Sequence, residues 1–265
     1  MKDLRGLKDD AEFQNELKDF VKKNFCKETK ELIKKYKEPG FPNEENFKAI
    51  WKNLKKIFWK KQNKCCCICE KRLSDIYSID IDHYRPKTIY WWLAHNPKNY
   101  YLTCAECNRS NKRAQFPLYR DHLPTKYAER KILEEKPLLL NPMYDNHVEY
   151  FELTFIIHSQ TNERIAILKP KKGLNEELLA RAEKTIEVFN LDLNKYNDTD
   201  FTRLDLMIEY YDLLIDIAKA KNEYVEKGEF YKFLKQKLEE RKELKTLGLL
   251  QLIIQNKRIE INTIE

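Results

Sequence analysis

Hydrophobic positions recur at helical spacing through the first sixty residues. Phe13, Leu17, Phe20, Val21 and Phe25 follow Ala11 as one stripe, and Phe47, Ile50, Trp51, Leu54, Ile57 and Phe58 mark a second helix beyond the breaker EPGFPN. Asn43 followed by Glu44 and Glu45 suits the start of that second helix, with acids at the positive end of its dipole. Both stripes read as core-facing. At residue 65 the pattern changes to short β-prone runs, YSIDID and NYYLTC, set among cysteines, tyrosines and tryptophans. The proline-bounded KPLLLNPMYDN leads to two strands, HVEYFELTFII and RIAIL, joined by the turn-rich HSQTNE. Helical patterning then returns: NEELLARAEKTIEVFN places Leu178, Ala182, Ile186 and Phe189 on one face behind an Asn175 cap, and two long helices flank Gly228. The chain divides into basic N-terminal helices (1–64), a compact metal-containing module (65–140), and a short β-hairpin followed by a helical region (141–265). The fold class is α+β, a mostly helical chain around a small zinc-stapled module.

Composition narrows the setting. No apolar run approaches the length of a membrane span, and the N-terminus lacks the apolar core of a signal peptide, so a soluble, cytoplasmic protein is expected. The net charge of +7 is unevenly spread. Residues 1–64 carry 18 Lys/Arg against 11 Asp/Glu, whereas residues 121–265 carry 23 against 27, so a positive field lies over the N-terminal half. That field suits a polyanionic partner and equally a solvated helix face.

Six of the seven cysteines fall into two tight groups, Cys65, Cys66, Cys67 and Cys69, then Cys104 and Cys107. In a reducing compartment such C-x-x-C pairs read as thiolate metal ligands. Cys66, Cys69, Cys104 and Cys107 form two knuckles with 34 residues between them, as in a closed, structural Zn²⁺ site. Cys65 and Cys67 crowd the first knuckle and leave its register open, Cys67 being the nearer substitute.

Between and across the knuckles lie IDHYRP and NYYLTCAECNRSNK. Hydrolysing a phosphodiester needs a deprotonated water and a cation on the phosphoryl oxygens. His83 has the chemistry of the general base, and Asp82 and Asn108 offer hard oxygens to Mg²⁺ or Mn²⁺. Neighbours on a strand point to opposite faces, so Asp82 and His83 converge only where the strand ends, which Pro86 provides. Asn99 is expected to fix the loop that aligns His83. Arg85, Lys87, Arg109, Lys112 and Arg113 are expected to contact flanking phosphates. Trp91, Trp92, Tyr100 and Tyr101 suit base stacking and, more simply, a core.

This order of residues resembles the HNH nucleases, whose ββα-metal motif is two strands and a helix around one catalytic cation. Asp82 and His83 resemble the family's acid–His pair, Asn99 its central asparagine, Asn108 its last metal-binding position, and the four cysteines the knuckles of zinc-bearing members. The resemblance implies a zinc-stapled HNH module. Further landmarks, CEKRLS, IDHYRPK, WWLA, NYYLTCAECNRSNK, FPL, KPLLLNP and AEKTIEVFNLDLN, resemble in order those of HNH subunits of Septu-type anti-phage systems and of retron-associated HNH proteins, over about residues 50–196. That resemblance implies an ABC-type ATPase partner, and this chain has no G-x-x-x-x-G-K-[ST] of its own. Three readings stand: a metal-dependent endonuclease acting on DNA, the same site acting on RNA, and a non-catalytic zinc-stabilised nucleic-acid-binding or assembly subunit.

Overall fold

Asp10 starts the first helix. Its carboxylate accepts from the Phe13 N–H at 2.8 Å and caps α1 (Ala11–Phe20), an interaction worth about 1 kcal/mol. The computed structural model describes residues 1–35, 47–71, 73–76, 79–120, 122–129, 131–157 and 164–191. The expected Asn43 helix start, the HSQTNE turn and the helices about Gly228 lie outside these residues. From α1 the chain passes through a π-helical turn, Val21–Phe25, into α2 (Cys26–Lys35). The second stripe forms a 3-10 turn, Ile50–Leu54, running into α3 (Lys55–Lys61). As the periodicity predicts, Phe13, Leu17 and Phe20 are buried against Leu54, Ile57 and Phe58 in one cluster. The Phe13 and Phe58 rings meet edge to face at 5.1 Å.

The end of α3 is tied to the next layer by Gln62, which is fully buried. Its Nε2 donates to Leu102 O at 2.9 Å and to Cys65 O at 3.2 Å, while its Oε1 accepts from Leu102 N at 2.9 Å. One side chain thus does what a neighbouring strand would do for the Leu102 peptide groups. Lys2 adds a strap on the same side: its N–H donates to Cys67 O at 2.7 Å and its Nζ to Gln62 O at 2.6 Å.

The β-prone runs form an antiparallel pair, β1 (Ile79–His83) and β2 (Tyr100–Cys104), in register from Ile79 opposite Cys104 to His83 opposite Tyr100. Every residue of β2 is buried, because both faces of this small sheet are covered. Downstream, HVEY is a short helical turn, α4 (His147–Tyr150), rather than the first half of a strand. The hairpin proper is β3 (Phe151–Ile157) with β4 (Arg164–Pro170). α5 (Glu176–Phe189) is capped by Asn175, whose Oδ1 accepts from Leu178 N at 2.9 Å, and ends at Asn190 in the left-handed conformation.

α5 buttresses the rest. Thr185 Oγ1 accepts from Leu140 N at 2.9 Å, and Asn111 Nδ2 donates to Phe189 O at 2.9 Å, so α5 holds both the KPLLLNP segment and the helix after β2. The main buried cluster draws on residues from Met1 to Leu191. The mixture of helices and two small sheets is the expected α+β class. No described helix is long and apolar enough to cross a membrane.

Candidate active site

The four cysteines named from the knuckle spacing come together. The Sγ atoms of Cys66, Cys69, Cys104 and Cys107 all lie within 4.8 Å of one another and all four residues are buried. The Cys69 and Cys104 sulfurs are 3.7 Å apart. Four ligands about 2.3 Å from a tetrahedral zinc sit about 3.8 Å from each other, so this set fits the ion with little movement. Burial pushes the Cys66 thiol well above its usual range, and the three neighbouring sulfurs add to that, so four thiolates need a cation in their midst. The register question is settled by geometry: Cys65 Sγ donates to Asn63 O at 3.3 Å, and neither Cys65 nor Cys67 belongs to the cluster.

β2 leads straight into this cluster, and β1 carries the acid–His pair beside it. His83 is 7% exposed and its Nε2 lies 2.9 Å from Ala94 O. A carbonyl carries no proton, so Nε2 must donate, which leaves Nδ1 as the ring's acceptor. Tyr100 donates to the same carbonyl at 2.6 Å, and its ring and that of Trp51 meet the imidazole edge-on at 5.0 and 4.7 Å. Burial lowers the His83 pKa to about 3, so the ring is neutral at physiological pH. Asn99 closes the loop that leaves β1: its Oδ1 accepts from Arg85 N at 2.8 Å, its Nδ2 donates to Arg85 O at 2.9 Å, and its O accepts from Tyr84 N at 2.8 Å.

Asp82 points to the other face of β1, as strand alternation requires. There it meets the helix that follows β2, a π-helix over Glu106–Lys112 whose register shows in the bond from Arg113 N to Asn108 O at 2.7 Å. Lys112 Nζ, fully buried, donates to Asp82 Oδ1 at 3.1 Å and to His83 O at 2.7 Å. Among the described residues Asp82 Oδ2, beside Tyr101, is buried with no hydrogen-bond partner. Burial raises the Asp82 pKa, against the pull of Lys112. One turn earlier, Asn108 Nδ2 donates to Asp80 Oδ2 at 3.1 Å, and Arg109 holds the same carboxylate through Nε at 2.7 Å and Nη2 at 2.6 Å.

These residues share a cleft of about 680 Å³, lined among others by Asp80, Asp82, His83, Lys87, Asn108, Arg109 and Arg113. Its donors are hard oxygens, and the orphaned Asp82 Oδ2 is an atom a cation, or a water on one, would satisfy. Hard oxygens of this kind are the donors that Mg²⁺ and Mn²⁺ take. Two of the residues expected at phosphates are engaged elsewhere. Lys112 is committed to Asp82 and His83 inside the fold, and Arg85 is ion-paired with Glu135 beneath the Tyr90 and Phe116 rings, outside the cleft lining. Tyr100 and Tyr101 are 1% exposed and Trp91 is buried, so they serve the core. Among the lining residues that sequence reasoning did not place in the site are Trp51, Lys52 and Lys55 from the N-terminal region, and Asp80. Asp80 lies two residues before Asp82 and therefore on its face of the strand, a signal the sequence did carry.

Comparison with curated proteins finds Septu protein PtuB of Bacillus mycoides (strain KBAB4), 28% identical over 238 residues, covering 81% of this chain and 75% of that protein. The Septu-type resemblance is borne out, over more of the chain than the landmarks spanned. No family model matches, and no solved structure matches.

Proposed function

We propose that this relative of a Septu protein is a metal-dependent HNH endonuclease that hydrolyses phosphodiester bonds, on DNA before RNA. Its setting is an anti-phage defence system, beside an ABC-type ATPase. One observation carries the reading: a neutral histidine with an acceptor nitrogen and a hard-oxygen donor set flank one strand end inside a cleft rimmed by cations.

In this mechanism a water attacks the scissile phosphorus and gives its proton to His83 Nδ1 while the bond from phosphorus to the leaving oxygen breaks, and a solvent water protonates the departing alkoxide. Ala94 O, through Nε2, keeps the ring in the tautomer that can accept it. The substrate's own negative charge raises the basicity of a ring that burial has depressed. Asp82 and Asn108 would hold the divalent cation, which when bound supplies positive charge against the phosphoryl and leaving oxygens. Lys87, Arg113 and Lys52, with the exposed edge of the Arg109 guanidinium that is not on Asp80, bind flanking phosphates, contacts that position a strand without reading its sequence. The zinc cluster, by joining the first knuckle to β2, holds the two halves of the site in place.

A specific observation favours the non-catalytic reading: Asp82 is 4% exposed and paired with Lys112, as a purely structural carboxylate would be. A cleavage assay decides. Wild-type and His83→Ala protein are incubated with supercoiled plasmid or total RNA and Mg²⁺ or Mn²⁺, with and without the ATPase. Cutting that disappears in His83→Ala is the expected result, and the substrate cut names the class. Equal cutting by both proteins would sink the mechanism, and nucleic-acid binding without cleavage under every condition would favour the non-catalytic subunit.

A further inference from the structure

Asp80 sits in the cleft but has no part in the mechanism above. Its side chain is 13% exposed, and both its oxygens are engaged: Asn108 Nδ2 donates to Oδ2 at 3.1 Å, and Arg109 forks across Oδ2 and Oδ1 at 2.7 and 2.6 Å. We propose that Asp80 is a positioning residue that turns the Asn108 amide so that its Oδ1, and not its Nδ2, is presented to the cation. The proposal rests on the reading of this cleft as a metal-dependent hydrolytic site.

An asparagine is an ambiguous ligand. The two ends of its amide are nearly the same size, and the terminal torsion is broad and roughly two-fold, so an unrestrained side chain offers either end. The carbonyl oxygen ligates a hard cation; the NH₂ end repels one. An ionised carboxylate only accepts hydrogen bonds, so a carboxylate next to the amide can bind the NH₂ end and no other. Asp80 is that carboxylate. Asn108 Oδ1 makes no hydrogen bond among the described residues, which leaves it available. The Arg109 fork fixes the Asp80 plane and neutralises its charge, so that Asp80 does not compete for the cation. Outer partners of this kind hold metal ligands in one orientation, and their loss typically weakens metal affinity by about 10- to 100-fold.

The test uses a substitution that removes the ambiguity itself. In Asn108→Asp, residue 108 carries two equivalent oxygens and has no wrong end to present. Mn²⁺ affinity of the full, zinc-loaded chain is measured by the electron paramagnetic resonance of free Mn²⁺, which needs no cleavage. Asp80→Ala is expected to weaken Mn²⁺ binding roughly 10-fold or more in the wild-type background. In the Asn108→Asp background the same change should cost nothing, and removing one of two adjacent carboxylates should lessen repulsion there. A carboxylate that merely braces the strand against the helix, or one that ligates the cation directly, would cost affinity in both backgrounds. Equal losses therefore overturn the proposal, as does an unchanged affinity in the wild-type background. Circular dichroism checks the fold, and Asp80→Ser replaces Asp80→Ala if alanine unfolds the chain. Asn108→Ala separates the two readings. If wild type holds no Mn²⁺ that Asn108→Ala abolishes, the hydrolytic site fails and this inference with it; if it does and Asp80→Ala is silent, only the role of Asp80 fails.

Discussion

Asn99 and Arg85 lie fourteen positions apart and are joined at both ends of one peptide, the asparagine accepting from Arg85 N at 2.8 Å and donating to Arg85 O at 2.9 Å. Asn99→Ala leaves both backbone groups unpaired in a buried loop, which costs about 2 kcal/mol or more. Chemical denaturation should show that loss, and cleavage should fall further than stability, since this loop also sets the His83 ring. A second prediction belongs to His95, buried against Trp51 at 6.0 Å between ring centroids and lowered by burial to a pKa of about 4. Its neighbours Glu28 and Lys48 pull in opposite directions. Below the ordinary histidine pKa of 6.5 the unfolded chain binds a proton that the folded chain refuses until about pH 4. The contribution is thus complete above pH 6.5 and is lost as pH falls towards 4, an effect on the order of 2 kcal/mol. His95→Asn should lower the slope of the denaturation free energy against pH across that window, leaving the share that His83 contributes there; an unchanged slope would assign the dependence to other groups.

The helix after β2 shows where legibility stops at the scale of elements. AECNRSNKRA reads as a helix with Lys112 four residues after Asn108, and a helix is there. Hydrophobic periodicity does not announce the wider π-helical register, because it depends on where Asn108, Arg109 and Lys112 find partners on β1. The fate of Lys112 was illegible for the same reason: a long cation is buried only when another element covers it and supplies acceptors. The knuckles were legible because their spacing is local, and the helix stripes and the Asn175 cap because periodicity and capping are local too. HVEY misread as strand because a valine and an aromatic near a strand carry the same composition as the strand itself. Gln62, polar and unremarkable in sequence, is the main tie between α3 and β2. Gln62→Leu keeps the volume and strands the Leu102 N–H, while the Leu102 C=O keeps the Cys67 N–H at 3.1 Å, so it should cost about 2 kcal/mol in chemical denaturation. A loss below 1 kcal/mol would mean that water or a shifted backbone replaces those bonds.

Across the whole molecule the described elements meet at the four cysteines. The first knuckle is tied through Lys2 and Gln62 to the N-terminal helices, and Cys104 and Cys107 end β2 and open the helix that carries Asn108. That helix is in turn held by α5 through Asn111. A metal at the cluster therefore restrains three layers at once, and in small zinc modules such an ion supplies about 10 kcal/mol or more of folding free energy. Elemental analysis should find one zinc per chain, lost in Cys69→Ser. In a domain of this size about 10 kcal/mol exceeds most of the total stability. The metal-free chain should accordingly melt more than about 10 °C lower, with hydrogen exchange rising first in β1, β2 and the end of α3. The site would suffer before the fold does, because β2 and its following helix carry Asn99 and Asn108 directly. Excess Zn²⁺ should restore both melting temperature and Mn²⁺ binding to a chelated wild type, and neither to Cys69→Ser. A chelated chain that melts and binds Mn²⁺ like the zinc-loaded one would show that the buried thiols pack as a hydrophobic cluster and that the two strands and helix hold the cleft unaided.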